Sequence, residues 1–193
     1  MIPSNRSMPQ RAFRSARAFR TWLTKEHSRS VGLLLRIYKR DSGVVSISYA
    51  EALDQALCFS WIDGQKLPCD DKSWLQKFTP RRARSGWSRR NTEHVERLIQ
   101  SGQMDPAGMR EVLAAKADGR WASAYDSPAK ASMPKEFLTE LARNAQAKKF
   151  FSTLSKANLY AIAYRLQTAK KPETKSKRVR LIIDMLARGE SFH

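Results

Sequence analysis

Along the first half of the chain the apolar positions repeat with two different periods; along the second half they repeat with one. Phe19, Trp22 and Leu23 fall at i, i+3 and i+4, the spacing of a buried helical stripe. Next, Leu33, Leu35 and Ile37 alternate with Leu34 and Tyr38, the period of an extended strand, and Asp41-Ser42-Gly43 marks a turn before more extended chain over residues 44–48, so that the segment reads as two strands or as a strand and a loop. Ser48 stands three residues before Glu51, a capping box in which each side chain satisfies an orphan N–H of a helix's first turn. A helix from about Tyr49 to Phe59 is therefore expected, burying Ala52, Leu53, Ala56 and Leu57. Asp63-Gly64 is a turn signal, and residues 73–79 read as a further extended run.

From residue 88 onward the period is helical. Val95, Leu98 and Ile99 share a face, with Gly102 as a left-handed stop, and a second helix has Pro106 in its first turn and Gly119 beyond its end. Phe137, Leu138 and Leu141, then Phe150, Phe151 and Leu154, then Leu159, Ile162, Ala163 and Leu166 mark three more helices. A last one, from about Thr174, lines up Val179, Ile182, Ile183 and Leu186. The fold class is α+β: a small antiparallel sheet with helices in the N-terminal half, followed by a helical C-terminal module. The expected division is a flexible basic tail over residues 1–18, an α+β region over 19–87 and a helical module over 88–193.

Composition supports a folded chain, since 193 residues with 41% hydrophobic content suffice for one substantial core or two small ones. Charge changes the picture more. A net charge of +18 attracts nucleic acid, anionic lipid and acidic proteins alike. It is unevenly placed: residues 1–40 hold ten Lys or Arg against Glu26, whereas 41–76 hold only Lys66 and Lys72 against six acids. Residues 77–90 then carry six bases and no acid, and 165–180 carry seven bases against Glu173. Cys58 and Cys69, without a CxxC or a histidine at ligand spacing, indicate no zinc site, no disulfide framework and no cofactor; Cys58 reads as a small buried hydrophobe. No transmembrane run and no secretory apolar core occur, so a reducing, cytoplasmic location is expected.

Two stretches could carry chemistry. Residues 78–91, FTPRRARSGWSRRN, gather Arg81, Arg82, Arg84, Arg89 and Arg90 around Trp87. Guanidinium forks grip phosphate or carboxylate oxygens, Trp87 offers a face, and the helix start at Ser88 or Asn91 points N–H groups at an anion. Arg89 and Arg90 at a helix N-terminus oppose the macrodipole. Either a bound anion or an acid from residues 41–76, notably Asp63, Asp70 or Asp71, would answer them. The second stretch, WIDGQ, places Trp61, Asp63 and Gln65 around the expected turn, where a polar ligand could be oriented or where Trp61 simply packs in the core. His27, His94 and His193 are the only histidines, His94 on a polar helix face, so no catalytic residue is assigned. The basic run around Pro172 is a polyanion surface or a solvated face, and Tyr160 with Tyr164 reads as a core stripe.

Several segments together resemble the YdeI/OmpD-associated family, also labelled bacteriocin-protection proteins. They are YAEALDQALCFSWIDGQ, LQKFTPRRARSGWSRRN, VERLIQSGQMDPAG, AAKADGRWASAYDSP and the C-terminal run from FFSTLSKANLY to ARGESFH, covering nearly all of residues 19–193. The resemblance implies a compact α+β region, a helical C-terminal module, a role in protection against antimicrobial peptides or bacteriocins, and association with an outer-membrane porin. It carries over no catalytic residue. The reading that follows is a non-enzymatic protein binding an anionic ligand or protein partner. The alternatives are sequence-nonspecific nucleic-acid binding and a small-molecule enzyme or binder centred on Asp63 and Arg81 or Arg82.

Overall fold

The computed structural model describes residues 8–128 and 130–193. It divides into two compact units, one taking in the residues through Ser85 together with Glu93–Ala114, the other Gly86–Thr92 and Ala115–His193. The two interleave along the sequence, where the pattern of apolar positions suggested a single break after residue 87.

In the first unit, β1 (Gln10–Ala12), β2 (Leu33–Tyr38), β3 (Trp61–Asp70) and β4 (Ser73–Pro80) form one sheet in the order β1-β2-β4-β3. β2, β4 and β3 pair antiparallel, as the alternation predicts, but β1 adds to β2 in parallel, with Gln10 opposite Leu34. A parallel pair requires a crossover, and α1 (Ala16–Glu26) lies in that connection. Residues 10–12 and 16–18 are therefore strand and helix rather than tail, while residues 1–7 of the expected tail lie outside the described residues. Ser15 caps α1 by accepting from the Ala18 amide, and Phe19 and Leu23 are fully buried. The Phe19 ring centroid lies 5.1 Å from Phe13 and 5.9 Å from Phe78 on β4.

Of the two readings of residues 33–48, a strand followed by a loop is the one formed. A short 3-10 turn, Arg40–Ser42, ends at left-handed Gly43, and the Ser42 and Ser46 hydroxyls then accept from the amides of Val44 and Tyr38, offering the backbone local partners instead of a ladder. α2 (Tyr49–Cys58) begins with the expected capping box and buries Ala52, Leu53, Ala56 and Leu57. Asp63-Gly64 departs from the expected turn: both residues lie inside β3, where the register shifts between Asp63 and Lys66 in a bulge. Buried Gln76 on β4 donates to the Gly64 carbonyl at 2.8 Å, satisfying the group the bulge frees. The hairpin turns instead at residues 71–72, held by Asp70, whose Oδ1 accepts from the Lys72 amide at 3.0 Å and the Ser73 hydroxyl at 2.7 Å.

α3 (Arg89–Gln100) and α4 (Pro106–Ala117) follow. Within the first unit Val95, Leu98 and Val112 are buried, and the Asp105 amide donates to the Cys58 carbonyl at 3.2 Å. Here α4 comes so near α2 that a Cβ on Gly108 would sit 2.2 Å from the Cys58 carbonyl oxygen. Cys58 is fully buried, and burial pushes its thiol pKa up. The second unit is built from α5 (Lys135–Ala142), α6 (Ala145–Phe151), α7 (Lys156–Gln167) and α8 (Pro172–Ala187) around Phe137, Leu141, Ile162, Leu166, Val179, Ile182 and Leu186. Asn144 and Ser155 cap α6 and α7, and α8 starts at Pro172, whose missing N–H is no loss in a first turn. Among the described residues, no helix is long and apolar enough to cross a membrane, and no cluster of His, Cys, Asp or Glu could hold a metal ion.

Gly108→Ala is expected to destabilise the chain by about 1–3 kcal/mol through forced separation of α4 from α2, read as a lowered urea midpoint. The Ser48 hydroxyl, then the Ser48 amide, hold the Glu51 carboxyl below its ordinary range. Its contribution is therefore present above that range and lost as pH falls through the lowered value. Glu51→Gln should lower the midpoint at neutral pH, and its difference from the parent should shrink and vanish as the pH falls below the ordinary glutamate range and through the lowered value.

Candidate functional site

The β3–β4 register places Trp61 opposite Pro80, Ile62 opposite Thr79 and Asp63 opposite Phe78, so the two stretches singled out in the sequence meet at one end of the hairpin. The Arg81 amide prolongs the contact by donating to the Ser60 carbonyl at 2.8 Å. Their side chains go different ways. Trp61 is 1% exposed, donates from Nε1 to the His27 carbonyl at 3.0 Å and meets Trp22 edge-on at 5.7 Å, so it is a core residue. Half-buried Asp63 accepts from the Tyr49 hydroxyl at 2.6 Å, and Gln65, beyond the bulge, is exposed. Half-buried Arg81 donates to the Ser85 hydroxyl at 3.4 Å. Arg82 and Arg84 are exposed, and Arg84 holds a left-handed backbone (φ 61°) that costs a non-glycine residue about 1 kcal/mol.

Residues 86–91 belong to the second unit. Trp87 is 2% exposed with its ring 5.0 Å from Trp121, which corrects the expectation of an open aromatic face. The reason is the backbone around it: the Trp87 carbonyl accepts from the Tyr125 amide at 3.0 Å and the Arg89 amide donates to the Tyr125 carbonyl at 2.8 Å, clasping this segment to residue 125. Ser88 is the cap of α3, its hydroxyl accepting from the amide of buried Asn91 at 3.2 Å. Arg89 pairs through Nε with Asp126 at 2.8 Å. The acid that answers this arginine is thus not among residues 41–76: Asp63 is engaged by Tyr49 and Asp70 by Arg36. Asp126 is itself aligned by Gln167, which donates to its carboxylate at 3.1 Å and accepts from its amide at 3.0 Å. Arg90 is exposed in the first turn.

Two arrangements were not legible in the sequence. His94, expected on a solvated face, is half-buried, its Nδ1 2.8 Å from Asp54 on α2; Arg97 reaches the same carboxylate at 2.7 Å. The i, i+3 spacing of His94 and Arg97 was the available signal, but their acid lies forty residues away. Cavities of about 450–640 Å³ occur within the second unit, between α5 and α8, beside Met133 and Tyr160, and between α7 and α8. They are lined by residues outside the two stretches. Tyr164 stacks edge-on against Tyr125 at 4.8 Å, in keeping with a packing role.

An α+β chain with a basic helical second half is what these elements define. The chain belongs to the family described as a domain of unknown function (DUF8412), whose model matches residues 11–111. Residues 130–189 match the family described as bacteriocin-protection, YdeI or OmpD-associated. That resemblance was expected over nearly all of residues 19–193; it falls on α5 to α8, and the sheet region matches the other model. No curated protein and no solved structure matches the chain.

Trp87→Ala should cost about 3–5 kcal/mol in the unfolding midpoint because a fully enclosed indole is removed. Arg89→Gln, whose side chain is 57% exposed, should cost less than about 1 kcal/mol.

Proposed function

We propose that the chain acts by binding rather than by catalysis, in protection against antimicrobial peptides or bacteriocins, and that its YdeI/OmpD-associated segment engages an anionic partner. The observation that carries this reading is charge inside the matched segment: residues 130–189 hold fourteen Lys and Arg against four acids. Two of the four, Glu136 and Glu140, are already committed to Lys175 and Arg143. Lys148, Lys149, Lys171 and Lys177 stand exposed around α6 and the start of α8, giving a surface that attracts anions over a Debye length. A cationic surface repels cationic peptides, so protection operates through the anionic partner and not through capture of the peptide.

A strain lacking the chain should lose viability at peptide doses the parent survives, and the intact chain should restore survival. A quadruple Lys→Glu variant at positions 148, 149, 171 and 177 that accumulates and melts normally should not. Equal survival of the deletion strain and its parent would sink the protective role. Nonspecific nucleic-acid binding is the competing outcome: retention of unrelated DNA sequences that collapses between about 50 and 200 mM salt would favour it.

A further inference from the structure

The cavity between α7 and α8, about 450 Å³, is lined by Tyr164, Arg165, Thr168, Arg178, Leu181, Ile182 and Phe192. Its two arginines are held in place without being neutralised. Arg178 Nη1 donates to the Arg165 carbonyl at 2.5 Å and to the Thr168 hydroxyl at 3.3 Å. Arg165 Nη1 donates to the Ala161 carbonyl at 3.2 Å, and its guanidinium carbon lies 3.7 Å from the centre of the Phe192 ring. Neither pairs with a carboxylate among the described residues, whereas Arg143, Lys175 and Arg188 of the same unit each do. Carbonyl dipoles orient a guanidinium but leave its charge, and a half-buried cation without a counter-ion is unfavourable. A guanidinium has five N–H donors, so most of those on both residues are left over for an acceptor.

The rest of the lining is apolar. Ile182 is 4% exposed and Leu181 is 57% exposed, giving an apolar floor and rim beside the two cations. The volume lies within the roughly 300–1,000 Å³ of small-molecule sites. The groove between α5 and α8 is larger, at about 630 Å³, but there Glu136 and Glu140 line the wall with Lys135 and Arg180, so its charge is mixed.

We propose that the α7–α8 cavity binds a small organic anion: a carboxylate or phosphate head between Arg165 and Arg178, with an aromatic or short aliphatic body against Leu181, Ile182 and Phe192. This goes beyond the protective reading and does not depend on it, since a compact ligand is at issue rather than a macromolecular partner.

The test is a fluorescence titration of the full chain with 8-anilinonaphthalene-1-sulfonate, followed by displacement with phenyl phosphate and with inorganic phosphate. Saturable binding is expected, displaced by phenyl phosphate far more readily than by inorganic phosphate. Arg165→Gln and Arg178→Gln should each weaken it about tenfold or more, the loss of a charge-assisted contact. Arg178 also ties α8 to α7, so Leu181→Glu serves as the independent variant. Its side chain is exposed, so the circular dichroism and melt should be unchanged while the new carboxylate abolishes binding. Lys135→Gln, in the neighbouring groove, should leave the affinity alone. Parental affinity in folded Leu181→Glu and Arg165→Gln would overturn the assignment, as would equal damage from Lys135→Gln or equal displacement by the two phosphates.

Discussion

The antiparallel register between β3 and β4 is the constraint on which the N-terminal unit depends. It drives Trp61 into the interior against Trp22 and brings Ser60 and Arg81 together as a terminal backbone pair. It also leaves Asp63 on the side where the Tyr49 hydroxyl meets it. The bulge after Asp63 is part of the same constraint. Two residues on β3 must be absorbed against fewer on β4, and the carbonyl freed at Gly64 is taken by the buried Gln76 amide instead of by water. A polar residue in the middle of a central strand is thereby explained by the irregularity of its neighbour.

A different balance governs the C-terminal unit. Its helices close over an ordinary apolar core, and each stretch of the seam is supplied by residues three and four apart on α5, α7 and α8. What sets it apart is electrostatic. Cations outnumber acids more than threefold over residues 130–189, and two of the four acids, Glu136 and Glu140, are taken up by Lys175 and Arg143. The excess is divided between exposed lysines, which act at a distance and fade with salt, and the pair Arg165 and Arg178, which sit half-buried and oriented by backbone carbonyls. The first group suits encounter with an extended anionic surface. The second suits a compact anion with an apolar body. On the two proposals made above, one excess of charge would serve two kinds of recognition on separate parts of the unit.

Residues 78–91 show how composition and placement come apart. Five arginines and a tryptophan in one segment read as a single basic surface, but the chain reverses its use of them within a few residues. Arg82 and Arg84 face solvent, Arg81 is tied to Ser85, and Trp87 and Arg89 are absorbed by the clasp to Tyr125 and Asp126. A charge run says how many cations there are; it does not say which of them meet water, because the acid that answers Arg89 comes from residue 126, far along the chain.

Local periodicity by itself determined most of the elements: the capping box at Ser48 and Glu51, the alternation in Leu33 to Ile37, and the stripes of α3 to α8 all depend on neighbours within one or two turns. Composition set the excess of positive charge, and the residues of the last four helices carried the family resemblance. Only the tertiary structure decided that β1 joins the sheet in parallel, that Asp63-Gly64 bulges within a strand instead of turning, and that Asp126 rather than Asp63 answers Arg89. It alone set Arg165 and Arg178 at one cavity. Each of these joins groups separated by many residues, and the energy that selects them is burial and pairing between elements, which no local spacing records.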